Sequence, residues 1–317
     1  MLNLIRNELM KIFKRPGTYV MIGMLLMIVG IAGGVIKYQE SKQDAKQENW
    51  QQTVKAEIKE YNEQLKAVDG APAYVKQELM KEIELREYRL ENDIPPNDDY
   101  NLWGFVDDAS DMIQFAGLFT IIIAAGIVSS EFKWGTIKLV LIRPISRGKI
   151  LLAKYSAVII VALLFLAIVF VFSALVGVIL FGTPEKAVPY LNYFNGKITE
   201  QSMAFHLILF YAMKSVSMVM LATMAFMISA VFRNSSLAIG LMIFLMFTGT
   251  QLTGMLATKF AWAKYILFAN IDLVQYFEGT PMVEGMTLPF SIIMLLIYFA
   301  VFQFFAYYIF KKRDVAA

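Results

Sequence analysis

The sequence predicts an all-α polytopic membrane protein with six transmembrane helices, an N-terminal amphipathic interface helix and an extracytoplasmic helical hairpin between the first two spans. Hydrophobic residues make up 58% of the 317 residues, charged residues make up 17%, and the mean hydropathy is +0.56. The apolar residues cluster in runs long enough to cross a hydrocarbon core of about 30 Å, which takes roughly 20 helical residues. Lys and Arg are concentrated in alternate connecting segments, as expected for repeated membrane crossings.

The composition excludes several kinds of chemistry. The chain has no cysteine and a single histidine, His206. Disulfides, thiolate nucleophiles, Cys/His metal sites and histidine-activated serine nucleophiles therefore lack the residues that they need. We expect no metal site on this chain, and nothing in the sequence points to a nucleic-acid partner.

Residues 1–17 are predicted to form an amphipathic interface helix that precedes the first span, at 18–36. Apolar and polar side chains fall on opposite faces of this helix, with Ile5, Leu9, Ile12 and Phe13 on one face and Asn3, Asn7, Lys11 and Lys14 on the other. Pro16 and Gly17 then allow the chain to turn into the bilayer. A cleaved signal peptide is the alternative, although the apolar run is longer than in a typical signal.

Residues 37–110 are rich in charged residues and Gln, and they predict the extracytoplasmic helical hairpin. Its first helix has a coiled-coil-like seam formed by Trp50, Val54, Ile58, Tyr61, Leu65 and Val68. A break follows at 69–72. A second helix, marked by Val75, Leu79, Ile83 and Leu90, is predicted to end before Pro95.

Residues 111–317 are predicted to contain the other five spans, at 112–130, 151–181, 204–232, 236–257 and 288–310. The third span is longer than a bilayer requires, so we expect it to tilt or to project from the membrane. The segment 258–287 is apolar but contains Lys264, Asn270 and Asp272. It is too short and polar for a clean span, which favours an interfacial or re-entrant segment.

The distribution of charge predicts the orientation. With six spans and a cytoplasmic N-terminus, the inner segments 1–17, 131–154, 233–235 and 311–317 hold 14 Lys and Arg and three acidic residues. The segment 37–111 holds 10 Lys and Arg and 18 acidic residues. The positive-inside rule therefore places both termini in the cytoplasm and residues 37–110 outside.

The loop at 131–154 is the segment that is most informative about mechanism. Thr136 can cap a short helix, Pro144 would stop it, and Ser146 can cap the next membrane helix. Such a short helix could transmit a push from a cytoplasmic partner into the two spans that it joins. A basic loop that only contacts lipid headgroups is the alternative.

This loop resembles the first cytoplasmic loop of ABC-2 type permeases. The resemblance rests on Glu131-Phe132-Lys133, Gly135-Thr136 and Arg143-Pro144-Ile145-Ser146-Arg147, together with Lys149 and Lys154. It implies that the loop docks on a separate ATP-binding cassette ATPase subunit, which binds the ATP and Mg, in a bacterial plasma membrane. The contact residues that it implies are Glu131, Gly135, Thr136, Arg143, Pro144, Ser146, Arg147 and Lys149. A second permease copy or a sister permease would complete the pathway.

The chain itself has no phosphate-binding loop. Both of its Gly-Lys pairs, Gly148-Lys149 and Gly196-Lys197, are followed by Ile and lack the earlier glycine of the motif. The sequence therefore predicts a non-enzymatic subunit without a cofactor, driven by another polypeptide or by an ion gradient.

Polar residues within the predicted spans mark a possible substrate path, formed by Gln114, Lys214, Thr250 and Gln251. A charge such as that of Lys214 is costly in a membrane and suggests function. Snorkelling to the interface is the alternative for Lys214, and interhelical hydrogen bonding is the alternative for the uncharged residues.

The expected function is that of a permease subunit which exports an amphiphilic substrate such as a lipid, a peptide antibiotic or a drug. A gradient-driven carrier is one alternative, but it should show paired carboxylates inside the membrane. A non-transporting sensor or partner-binding protein, in which the outer hairpin binds the partner, is the other.

Overall fold

The computed structural model describes residues 1–42, 50–67, 73–96, 100–133, 145–184, 188–194, 197–277 and 281–312. The helices in these ranges are α1 Leu2–Phe13, α2 Pro16–Glu40, α3 Trp50–Ala67, α4 Ala73–Glu91, α5 Leu102–Asp108, α6 Ile113–Lys133, α7 Arg147–Phe181, α8 Met203–Phe232, α9 Ser235–Ala257, α10 Leu267–Asn270 and α11 Leu288–Lys312. The strands β1 Tyr190–Phe194 and β2 Lys197–Gln201 pair antiparallel, and short 3-10 helices lie at Ala109–Met112, Ala261–Tyr265 and Val274–Tyr276.

Within the described ranges, six helical segments are long and apolar enough to cross a membrane. They are α2, the rod Leu102–Phe132, α7, α8, α9 and α11. This finding confirms the prediction of an all-α polytopic membrane protein with six candidate spans. Several helices extend beyond the predicted spans, because a helix can continue past the hydrocarbon core: α2 ends at Glu40 instead of residue 36, and α7 begins at Arg147 instead of residue 151.

The junction of α1 and α2 is a tight elbow. Pro16 occupies the first position of α2, where its missing N–H costs no helical hydrogen bond. The Thr18 hydroxyl donates to the Ile12 carbonyl oxygen at 2.6 Å, across the elbow. The angle between α1 and α2 is therefore fixed by a buried hydrogen bond.

Helix α6 is the centre of the bundle. The rod Leu102–Phe132, which includes α6, is the most buried of the six candidate spans, whereas few residues of α2, α9 and α11 are buried. Small residues on α6 and α8 allow the two backbones to approach closely, among them Ala116, Gly117, Ala124, Ala125, Ala222 and Ala225. The Ser229 hydroxyl of α8 donates to the Ala125 carbonyl oxygen of α6 at 2.5 Å. Close packing and an interhelical hydrogen bond thus hold these two spans together.

Helices α3 and α4 pack side by side, as the hairpin prediction requires. Val54 and Ile83 are buried between them. Arg86 donates to Glu57 at 2.7 Å and to Glu82, and its guanidinium lies 4.5 Å from the centre of the Tyr61 ring. The predicted break at 69–72 lies outside the described residues.

The strands β1 and β2 were not predicted. Tyr190 pairs with Gln201 and Phe194 pairs with Lys197, so two residues connect the strands. The dipeptide Asn195-Gly196 between them in the sequence is typical of two-residue hairpin connections and is the signal that could have predicted it. Five residues per strand are too few for a clear alternating pattern.

The segment between α9 and α11 has no described helix long enough to cross a membrane. Asn270, fully buried, organises it: the side-chain amide donates to the Lys264 and Ile266 carbonyl oxygens at 2.8 Å, and its oxygen accepts from Ser291 at 2.7 Å. A buried amide with these partners allows an irregular backbone to pack against the bundle.

The bundle has two ends. At one end, Arg147 donates to the Lys311 carbonyl oxygen at 3.3 Å, and α1 packs against α7. We call this end the terminal face. At the other end, Leu102 donates to the Gly182 carbonyl oxygen at 3.0 Å, and the α3–α4 hairpin contacts β2 through Tyr88 and Glu200. We call this end the hairpin face.

We expect Gly249→Ala to lower the thermal stability of the purified protein by a few degrees. A Cβ atom at Gly249 would lie 2.4 Å from the buried Phe268 ring, and overpacking of this kind costs about 1–3 kcal/mol. The melting temperature in detergent measures the effect. Gly254→Ala in the same helix is the matched control, because a Cβ atom there meets nothing within 4 Å. Equal melting temperatures for the two variants would contradict the packing described.

Candidate functional site

A cluster of four charged side chains lies at the terminal face. The Lys154 ammonium of α7 contacts Glu8 of α1 at 2.8 Å and Glu131 of α6 at 2.7 Å. The Lys11 ammonium contacts the same two carboxylates, at 2.7 Å and 2.8 Å. We call these four residues the terminal cluster. It joins α1 to the ends of both spans that flank the loop at 131–154.

The terminal cluster is almost closed to solvent. The side chains of Lys154, Glu8 and Glu131 are 1%, 7% and 8% exposed, whereas Lys11 is 38% exposed. Two ammonium groups face two carboxylates, so the cluster is neutral. Buried charges are tolerated only when they are paired in this way, and removing one partner leaves an uncompensated charge.

The geometry also explains the basicity of Lys11. Burial alone would lower the pKa of its ammonium. The hydrogen bonds and negative charges of Glu131 and Glu8 outweigh burial and raise that pKa above its ordinary value. Lys11 therefore stays protonated at physiological pH and keeps the charge that attracts Glu131 of α6.

The structure places only some of the residues that the sequence assigned to an ATPase contact. Glu131 lies inside the terminal cluster. The Arg147 guanidinium donates to the Lys311 backbone carbonyl oxygen, and Lys149 is exposed. Ser146 occupies the N-cap position of α7, but its side chain forms no capping hydrogen bond. Gly135, Thr136, Arg143 and Pro144 lie outside the described residues.

Sequence reasoning missed the terminal cluster. Glu8 and Lys154 were assigned no role in it, and Lys11 was assigned to the polar face of an interface helix. A signal was present, because Glu8 and Glu131 are the only acidic residues in the basic segments 1–17 and 131–154. An isolated acid in a basic segment at a membrane boundary is a candidate partner for a buried lysine.

A second group of polar residues lies at the hairpin face. The Lys214 ammonium of α8 donates to the Ser110 hydroxyl at 2.7 Å and to the Asp111 carboxylate at 2.8 Å. It also lies 4.6 Å from the centre of the Phe210 ring. Lys214 is thus bound to neighbouring side chains. The sequence had suggested a substrate path or snorkelling to the interface for this residue, and neither interpretation included these contacts.

The rod Leu102–Phe132 separates this ion pair from the terminal cluster. Asp111 and Glu131 are 20 residues apart, which is about 30 Å along a helix and matches the hydrocarbon thickness of a bilayer. The terminal cluster and the Lys214–Asp111 pair are therefore separated by about the thickness of the apolar layer of a bilayer.

A cleft of about 540 Å³ opens beside Lys214 between α6, α8, α9 and the segment before α11. We call it the hairpin-face cleft. Three of the four residues predicted as a substrate path line it, namely Gln114, Lys214 and Thr250, while Gln251 does not. The cleft also includes Asp272, which the sequence had identified only as a polar residue of 258–287.

Comparison with known proteins gives one family and two relatives. Residues 75–316 match the model of a family described as "Protein of unknown function (DUF2705)". The chain is 48% identical over 319 residues to "Uncharacterized protein YhcI" of Bacillus subtilis (strain 168), with 100% of both chains covered. It is 30% identical over 221 residues to "Uncharacterized membrane protein YdbK" of the same strain, covering 68% of this chain and 85% of that protein.

These matches overturn the resemblance to ABC-2 type permeases. The matching family model is a different one, and neither relative is described as such a permease. The sequence pattern at 131–154 consists of basic residues with Pro, Ser and Gly. The positive-inside rule enriches Lys and Arg in many connecting loops, so basic residues at 131–154 do not by themselves identify a family.

We expect Lys154→Met to destabilise the protein by about 3–5 kcal/mol, because it leaves Glu8 and Glu131 buried with too little positive charge. Thermal unfolding in detergent measures the loss. Adding Glu8→Gln and Glu131→Gln to Lys154→Met should recover most of it, since no buried carboxylate then remains in the cluster.

The exposed Lys149, in the same helix, provides the control. Lys149→Met should change stability by less than about 0.5 kcal/mol. A Lys154→Met protein as stable as the parent would show that the terminal cluster does not hold α1 in place.

Proposed function

Because the chain belongs to the DUF2705 family, which is described as being of unknown function, we propose a function from its own sequence and structure: it is the membrane-spanning subunit of an ATP-driven exporter. In this proposal the ATPase is a separate polypeptide of the ATP-binding cassette type, which binds the ATP and Mg. The cargo is an amphiphile that moves outward, and a second copy of the chain or a sister protein completes the pathway.

The observation that carries this proposal is the terminal cluster. It binds α1 to the last turn of α6 and the first turns of α7, which are the two ends of the loop at 131–154. A force applied to this loop would therefore act on three helices together. Such an arrangement suits a protein that receives mechanical work from a partner bound at the terminal face.

Sequence and charge supply further support. The chain has no phosphate-binding loop, so the work would have to come from another chain or from a gradient. Acidic residues in the six spans lie only near their ends, at Glu40, Asp107, Asp108, Asp111 and Glu131. A carrier driven by protons or cations would need carboxylates deep in the membrane, which disfavours a gradient-driven mechanism.

The proposed orientation follows the positive-inside rule. The terminal face would lie in the cytoplasm of a bacterial cell and the hairpin face outside the plasma membrane. The partner ATPase would then meet the terminal face, and the hairpin-face cleft would open toward the outer leaflet.

A second candidate function is ligand sensing by the outer hairpin. A groove of about 460 Å³ lies between α3, α4, β1 and Phe277, and its charged lining residues are Glu57, Lys81, Glu82, Arg86 and Arg89. A groove of this size could accept a small solute. The two candidates differ in whether the terminal face or the hairpin is needed for partner binding.

We expect Lys149→Glu to weaken association with the ATPase about tenfold, because it reverses an exposed charge beside the loop at 131–154 without disturbing the fold. Affinity purification from native membranes, followed by identification of co-purifying chains and an ATPase assay, measures the effect.

Two controls accompany this experiment. Lys197→Glu makes the same charge reversal at an exposed position on the hairpin face and should leave the ATPase bound. Deletion of residues 45–90 should also leave it bound. Purification without any phosphate-loop ATPase would contradict the proposal, and loss of a partner only in the deletion variant would favour the sensing function.

We expect single cysteines at Lys149 and Ser41 to react from opposite sides of the membrane. The natural chain has no cysteine, so each introduced thiol gives a signal without background. A membrane-impermeant maleimide should label Ser41→Cys in intact cells and should label Lys149→Cys only after the membrane is permeabilised. The reverse pattern would contradict the proposed orientation, and labelling of both in intact cells would contradict a membrane crossing by the rod Leu102–Phe132, which lies between the two positions.

A further inference from the structure

We infer that the hairpin-face cleft binds an amphiphile with a cationic headgroup. The identification of this ligand as the transported cargo rests on the proposed export function. Three features carry the inference: the arrangement of polar and apolar residues along the cleft, the charge of its lining, and its depth in the bilayer.

The cleft is polar at its mouth and apolar further in. Along the rod Leu102–Phe132 the lining runs from Asp111 through Gln114 to Gly117, one helical face at steps of three residues. On α8 it runs from Lys214 to Leu221 along another face. Charged groups therefore lie at the boundary of the apolar layer, and apolar walls extend from there toward its centre. This gradient complements a molecule with a polar head and an apolar body.

The charges of the lining leave a net negative charge. The lining contains one cation, Lys214, and two carboxylates, Asp111 and Asp272. The Lys214 ammonium is already bound to Ser110 and Asp111 and lies over the Phe210 ring, so its charge is compensated inside the protein. The second carboxylate has no cationic counterpart among the residues that line the cleft.

Both carboxylates remain accessible. The Asp111 side chain is 80% exposed, and the oxygen that binds Lys214 is Oδ1. Asp272 is exposed, and its Oδ1 accepts the Val274 backbone N–H at 3.0 Å, which fixes the side chain at the rim of the cleft. A cationic group entering the cleft would meet both carboxylates without displacing Lys214.

The position at the membrane boundary strengthens this selection. Electrostatic attraction is larger near an apolar layer than in bulk water, because the effective dielectric constant is lower. An anionic headgroup would meet the uncompensated carboxylate, and its attraction to Lys214 would compete with Asp111. The chemistry of the cleft therefore favours an ammonium-type or phosphonium-type ion that carries apolar groups.

The test uses two ions of the same shape and opposite charge. Tetraphenylphosphonium and tetraphenylborate are titrated separately onto the full chain in phosphatidylcholine nanodiscs, and binding to empty nanodiscs is subtracted. We expect saturable binding of tetraphenylphosphonium and no saturable binding of tetraphenylborate. Tetramethylammonium, which has the charge without the apolar groups, should fail to compete at concentrations about a hundredfold higher.

Three variants assign the binding to the cleft. Asp272→Asn and Asp111→Asn keep the hydrogen-bonding oxygen and should each weaken tetraphenylphosphonium binding about fivefold. Lys214→Met removes the competing cation and should strengthen binding by a similar factor. Weaker binding in the aspartate variants together with tighter binding in Lys214→Met would identify a cation site. In an anion site, Lys214→Met would instead abolish binding.

The ion pair Lys37–Glu40 supplies matched controls. It lies at the hairpin-face end of α2 with a separation of 2.8 Å, and Lys37 also lies over a phenylalanine ring, Phe181. Neither residue lines the cleft. Lys37→Met and Glu40→Gln should therefore leave the binding constant unchanged, so that a general change in surface charge is not mistaken for a change in the site.

Several outcomes would overturn the inference. They are the absence of saturable tetraphenylphosphonium binding, equal or tighter binding of tetraphenylborate, and binding that is insensitive to Asp272→Asn and Asp111→Asn. The measurement needs no ATPase. Cation binding without a co-purifying ATPase would support the assignment of the cleft and overturn the export proposal. A co-purifying ATPase without cation binding would support the export proposal and overturn the assignment of the cleft.

Discussion

The structure depends most on one buried cation, the ammonium of Lys154. Its side chain is 1% exposed, and an unpaired charge buried in this way would be very costly. The carboxylates that compensate it come from two other elements, Glu8 of α1 and Glu131 of α6. Departure of helix α1 would therefore remove one of the two carboxylates that compensate this buried ammonium, and only Glu131 would remain. This single requirement fixes the N-terminal helix against both ends of the loop at 131–154.

Helix α6 connects the terminal cluster to the rest of the bundle. It is the most buried span, and the interhelical hydrogen bond from Ser229 to Ala125 ties it to α8. Glu131 of the terminal cluster lies near one end of α6, and Asp111, which binds Lys214, lies just before its other end. A displacement of the loop at 131–154 would therefore reach the hairpin-face cleft through two closely packed helices. Close packing transmits such movements because packed interiors have little room to absorb them.

The two charged groups differ in a way that suits different tasks. The terminal cluster contains equal numbers of cations and carboxylates and is nearly closed, which favours a permanent structural joint. The hairpin-face cleft has one carboxylate more than cations and is open, which favours a reversible contact with a ligand. Lysine and carboxylate side chains thus favour a rigid joint where their charges are equal in number and ligand selectivity where the carboxylates are in excess.

The sequence by itself determined the membrane class, the number of candidate spans and the two hairpin helices. These features depend on composition and periodicity, which are local along the chain: runs of about 20 apolar residues predict α2, and the seam at Val54 and Ile58 predicts α3. Three residues of the cleft, Gln114, Lys214 and Thr250, were also found because polar residues stand out within apolar runs.

Only the tertiary structure decided which charges meet. Glu8 and Lys154 are 146 residues apart, and nothing local to either position indicates the other. The loop at 131–154 misled the sequence analysis in another way. Its local pattern of basic residues suggested a family that the comparisons do not support. Asp272 was likewise placed in an irregular segment without a role, because its position in the lining of the hairpin-face cleft depends on how that segment packs. Long-range ion pairs follow from the packing of helices, which local periodicity does not encode.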